Sequence, residues 1–94
     1  MKVLHLTLKK KWFDMIASGE KKEEYREFKP YWHTRLMNKS YDVIKFRNGY
    51  SKSAPTMTVE FKGLMSSLGN IEWGAPKGKP VYILKLGEVL SLTP

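Results

Sequence analysis

Val3 to Leu8, VLHLTL, alternates apolar and polar positions, with Leu4, Leu6 and Leu8 on one side and His5 and Thr7 on the other. A period of two over six residues predicts a strand with one buried face. The pattern then changes. In KKKWFDMIASG the apolar residues Trp12, Phe13, Ile16 and Ala17 fall at helical spacing, and Gly19 suits the left-handed position that closes a helix. Period two returns in KKEEYREF, which sets Glu24, Arg26 and Phe28 on one side of a second strand and Glu23, Tyr25 and Glu27 on the other. Pro30 opens a short second helix that carries Trp32 and Leu36 four apart and ends by Asn38.

The second half of the chain predicts mainly strands. Asp42 to Arg47, DVIKFR, is closed by the turn pair Asn48-Gly49. TMTVEFKG alternates again, with Met57, Val59 and Phe61 inward and Thr58, Glu60 and Lys62 outward, and Gly63 marks a bulge or bend. Ser66 to Pro80 is rich in Gly, Pro and Ser and carries Trp73 in its middle, so it is a flap or an ordered surface loop. The final VYILKLGEVLSL is apolar on both faces from Val81 to Leu86, as a strand covered on both sides requires. The order β-α-β-α-β-β-β predicts an α+β fold: a small sheet or barrel of five or six mostly antiparallel strands with two flanking helices.

Size and composition narrow the picture further. At 94 residues, 41% hydrophobic and 13% aromatic, the chain has material for one domain, residues 1–94, with one packed core. The absence of cysteine excludes a disulfide framework and thiolate metal sites, and His5 and His33 are far apart, so no metal or other cofactor is expected. No apolar run reaches membrane-spanning length, which makes the cytoplasm the expected compartment and a membrane an unexpected partner. The net charge of +8 does favour a partner class. Such a field concentrates polyanions, of which nucleic acid is the commonest in a cell, although lysine-rich surfaces also serve solubility.

The chemistry gathers around GEKKEEYREF, residues 19–28. Glu24 and Arg26 share a strand face with an aromatic, next to apolar surface where unpaired charge is costly, so they are expected to pair. Lys21, at the corner after Gly19, is aimed toward the same cleft. Three further groups add to this set. Trp12 with Lys9, Lys10 and Lys11 suits base stacking beside phosphate contacts, though Trp12 also fits the core stripe. Arg47, Asn48 and Tyr50 at a strand end and turn suit a base or ribose clamp. His5 and Glu60 read as surface or packing residues.

Gly19, Lys21, Glu24 and Arg26 reproduce the pattern G-x-K-x-x-E-x-R, placed after a first strand and first helix. In this the chain resembles the ASCH (activating signal cointegrator homology) domains, and the resemblance extends through WFDMIASGEKKEEYR and YDVIKFRNGY to the closing hydrophobic strand. The resemblance implies a PUA-like β-barrel with a cleft beside the signature that binds RNA or related nucleic acid. It also implies that Lys21 and Glu24 are the catalytic groups if the chain is an enzyme of the family's kind, an amidohydrolase on acylated cytidine or a ribonuclease. Glu24 stands where the amidohydrolases look to carry a threonine, so the nucleophile of that activity is missing. The expectation is therefore a binder of RNA or a modified nucleotide, with single-stranded DNA as an alternative partner. A hydrolase is the second reading, and a small basic protein whose cleft takes a protein partner is the third.

Overall fold

Each alternating segment buries its apolar members on a common side, and that side becomes the inner face of one curled sheet. The computed structural model describes residues 1–94. Its elements are β1 (Val3–Leu8), α1 (Lys10–Ala17), β2 (Glu23–Arg26), α2 (Pro30–Leu36), β3 (Val43–Asn48), β4 (Thr56–Ser67) and β5 (Val81–Thr93), with a short 3-10 turn at Ile71–Trp73. The strands form a single five-stranded sheet in the order β1-β3-β4-β5-β2. Only β1 and β3 run parallel; the other three pairings are antiparallel. The fold is thus α+β, a five-stranded half-barrel with two helices, as the pattern predicts.

The core is continuous across that inner face. Leu4, Leu6 and Leu8 of β1, Ile44 and Phe46 of β3, Met57 and Val59 of β4, and Tyr82, Leu84 and Leu86 of β5 pack with Phe13 and Ile16 of α1 and Leu36 of α2. Burial of this many large apolar side chains is the main favourable term for a chain of this size. Curvature comes from β4 and β5, whose pairing shifts register three times between Thr58 and Gly63. Such bulges bend and twist a strand pair, and here they wrap the sheet around the helices. The expected bend at Gly63 lies within this region.

α1 ends as its sequence predicts. The Ser18 and Gly19 N–H groups donate to the Asp14 and Ile16 carbonyls, and Gly19 has φ +86°, a conformation costly for any residue with a Cβ. The Lys21 N–H then donates back to the Met15 carbonyl at 2.9 Å, which fixes the corner leading into β2.

Two strand ends and two side-chain placements differ from expectation. β2 stops at Arg26, and Phe28 lies beyond it, nearly half exposed, with its ring edge-on to Tyr82 at 4.8 Å instead of facing inward. Glu27-Phe28-Lys29 lead directly to Pro30, whose ring starts α2, so the chain turns before a further pair of ladder bonds can form. β4 runs past Gly63 to Ser67, because the bulges let it continue alongside β5. Phe61, expected fully inward, is only partly buried, because alternation fails where the register shifts.

The segment expected from Ser66 begins later, because Ser66 and Ser67 still pair with β5 as the end of β4. The remainder lies against the sheet through the Asn70 N–H, which donates to the Tyr25 hydroxyl at 2.9 Å, and through the buried Ala75. No helix is long and apolar enough to cross a membrane.

Candidate functional site

β1 and β2 are the two edges of the sheet, and no backbone ladder joins them. A sheet edge leaves N–H and C=O groups unpaired, and this seam is bridged by a side chain instead. Arg26 of β2 reaches across and donates from Nη2 to the Thr7 carbonyl of β1 at 3.3 Å. Beside that bridge lies a cleft of about 400 Å³. Its walls are the end of β1, Trp12 of α1, residues 24–26 of β2, and Gly49 and Tyr50 of the turn after β3.

Glu24 and Arg26 line the cleft and, with Lys21 behind them, form an ion triad. Glu24, 5% exposed, accepts from Lys21 Nζ on Oε1 at 2.9 Å and from Arg26 Nη2 on Oε2 at 2.6 Å. One carboxylate therefore holds both signature cations. Charges this well removed from water persist only when each has a partner of opposite sign and good geometry. Lys21, 2% exposed, has its other donor directions taken: Nζ donates to the Trp73 carbonyl at 2.6 Å and lies 4.5 Å from the Trp12 ring centre and 5.4 Å from that of Tyr25. Burial pulls Lys21 below the ordinary lysine value of 10.5; the Glu24 carboxylate opposes the fall and the Arg26 charge adds to it.

Arg26 is held through one nitrogen. Nη2 donates both to Glu24 and to the Thr7 carbonyl, and the guanidinium carbon lies 4.8 Å from the Trp32 ring centre of α2. Its Nε–H is buried without a partner. Buried donors are nearly always bonded in folded proteins, so an orphan at the border of a cleft marks a position where a ligand acceptor would be well received.

The opposite face of β2 forms a separate network. The Tyr25 hydroxyl donates to Glu23 at 2.8 Å and accepts from the Asn70 N–H, and Lys85 of β5 bonds Glu23 at 2.6 Å. Burial pushes the Tyr25 hydroxyl up to about 12; the Asn70 N–H opposes this and the Glu23 carboxylate adds to it. The loop that carries Trp73 is fitted to this arrangement. Gly74 has φ +101°, and a Cβ there would come within 2.9 Å of the Trp12 ring. Only glycine lets the loop lie on the indole that covers Lys21.

The residues expected from the sequence separate into three groups. Glu24, Arg26, Trp12 and Tyr50 meet in the cleft, with Tyr50 89% exposed at its rim. Lys21 lies behind Glu24 and outside the cleft lining, where Gly19 and the corner place it. Lys10, Lys11, Arg47 and Asn48 do not line the cleft. Lys10 pairs with Asp14 one helical turn on at 2.6 Å, Lys11 Nζ lies 4.8 Å from the Trp12 ring centre, and Arg47 lines the outer sheet face instead. Three contributors were not predicted as site residues of the seam: Thr7 through its backbone carbonyl, Trp32 through its ring, and Tyr25, expected on the far face of β2. The alternation of VLHLTL places Thr7 on the outer side, but nothing in it says that β1 ends up facing β2.

No known family's model matches the chain, and no curated protein or solved structure matches it.

The triad makes Glu24 the most costly of the three charges to remove. Glu24→Ala leaves Lys21 and Arg26 without their shared counter-charge and is expected to lower the unfolding free energy in urea by about 3–5 kcal/mol. Lys21→Met leaves Glu24 still paired with Arg26 and is expected to cost less. Equal losses, or a larger loss for Lys21→Met, would contradict the bridging role.

Proposed function

We propose that the protein is a nucleic-acid-binding module that takes one base of RNA, of single-stranded DNA, or a modified nucleotide into the cleft between β1 and β2. The observation that carries this reading is the Arg26 guanidinium, bonded to Glu24 and mostly shielded from solvent, with its buried Nε–H unpartnered at the border of a cleft walled by Trp12 and Tyr50. Single strands are gripped by aromatic faces that stack bases beside cations that meet phosphates or base oxygens. Arg26 offers a donor, Glu24 has lone pairs to accept from an exocyclic amine, and Lys9 adds a cation at the rim. Lys21 acts as a positioning residue by fixing the Glu24 carboxylate. The net charge of +8 and the resemblance to ASCH domains point the same way.

Hydrolysis of an acylated nucleoside or of RNA is a second reading, supported by the lowered Lys21 ammonium bonded to Glu24 beneath an open cleft. A lysine with a lowered pKa gives up its proton more readily, as a general base must. Turnover that disappears in folded Glu24→Gln would favour it, and a wild type inert toward both substrate types removes it.

Binding is tested by fluorescence anisotropy with a labelled single-stranded RNA. Tyr50→Ala, at a site too exposed to affect folding, is expected to weaken binding on the order of 10-fold, within the range lost with one stacked base. Wild-type affinity is expected to fall steeply as salt rises. Binding indifferent to both the substitution and the salt would overturn the proposal.

A further inference from the structure

The outer face of the sheet carries a second cavity, of about 280 Å³, on the far side of β1 from the core. It is lined by His5 and Thr7 of β1, Lys45 and Arg47 of β3, and Thr56 of β4, with Leu6 as its one apolar member. Strand pairing explains the grouping. His5 pairs with Lys45 and Thr7 with Arg47 across the parallel β1–β3 ladder, and Arg47 pairs with Thr56 across β3–β4. Alternation sends all five side chains to the same surface.

The lining holds two cations, an imidazole and two hydroxyls, and no carboxylate. Neither Lys45 nor Arg47 takes part in an ion pair. Glu60, one row along β4, is already bonded to Lys62 at 3.3 Å and to the Glu88 N–H at 3.4 Å. Arg47 Nε–H is buried with no partner, and its only bond is a long one, 3.5 Å, from Nη2 to the Lys52 carbonyl. Lys45 and Arg47 stand two apart on one face of β3, and their like charges repel unless an anion lies between them. This composition suits a group with several acceptor oxygens and a negative charge.

Thr7 lines both this cavity and the β1–β2 cleft. The only two buried side-chain donors left without a partner, Arg26 Nε and Arg47 Nε, belong to the arginines on either side of it: Arg26 bonds its carbonyl and Arg47 is its ladder partner. We propose that the His5–Lys45–Arg47 cavity is a phosphate subsite, which takes a phosphodiester of the same strand whose base enters the cleft across Thr7. The subsite rests on the nucleic-acid reading for its occupant, but its phosphate chemistry can be tested separately.

The test has two arms. In the first, inorganic phosphate is titrated into the 15N-labelled protein. Saturable shifts are expected at His5, Thr7 and the Arg47 Nε–H, and they are expected to be lost in Lys45→Ala, a change at an exposed side chain. Shifts that are absent, or that matched chloride reproduces, overturn the subsite. In the second arm, Lys45→Ala is expected to weaken single-stranded RNA binding equally for different sequences and to reduce the slope of log affinity against log salt by about 0.7, the value for one lost phosphate contact on a single strand. An unchanged slope beside an intact phosphate response overturns the strand as occupant and leaves free phosphate. A phosphate response with no RNA binding at all defeats the cleft reading and, with it, the shared strand.

Discussion

The two oxygens of Glu24 hold the cleft end of this molecule together. One binds the Lys21 ammonium and the other the Arg26 guanidinium, and each cation is tied in turn to a different part of the fold. Through Lys21 the carboxylate is linked to the Trp73 carbonyl and thus to the loop that covers the sheet. Through Arg26 it is linked to the Thr7 carbonyl and thus to the opposite edge strand. A half-barrel whose edges do not pair needs something to hold the seam, and here a charged side chain does so in place of a backbone ladder. The same residue that joins the edges lines the cleft between them.

This arrangement explains why one short strand carries so much charge. β2 has only four residues and a ladder on one side, to β5. Its alternation divides the charges between two networks: Glu24 and Arg26 serve the seam, while Glu23, with Tyr25 and Lys85, fastens the strand to β5 and the loop. Burial makes both networks depend on their geometry, because a half-satisfied polar cluster costs more than an apolar one. The two arginine Nε–H groups that remain unsatisfied are therefore exceptions in an otherwise well-paired structure, and both lie close to Thr7.

Much of this was legible in the sequence, and the limits have physical reasons. Local periodicity identified every strand, both α-helices and the Gly19 corner, because those depend on neighbours in the chain. The pairing of Glu24 with Arg26 followed from period two and the cost of unpaired buried charge. The direction of Lys21 was less legible. It was expected to reach into the cleft, and the structure places it behind Glu24, because the Trp73 loop, some fifty residues away, supplies a carbonyl that draws it there. The boundaries of β2 and β4 depend on a proline ring and on bulges in a partner strand, which no single segment contains. The outer-face grouping of His5, Lys45 and Arg47 needs the parallel β1–β3 register, and in the sequence these residues are forty or more positions apart or merely alternate.

The central claim, that Glu24 holds a buried Lys21 ammonium, is tested most directly by an NMR titration of the lysine side-chain nitrogens. Of the fourteen lysines, one, assignable to Lys21, is predicted to show slowed proton exchange at neutral pH, through-space contacts to the Trp12 ring, and a midpoint below that of the others. If all fourteen exchange rapidly and titrate together near the ordinary lysine value, the triad does not exist in solution and the account fails.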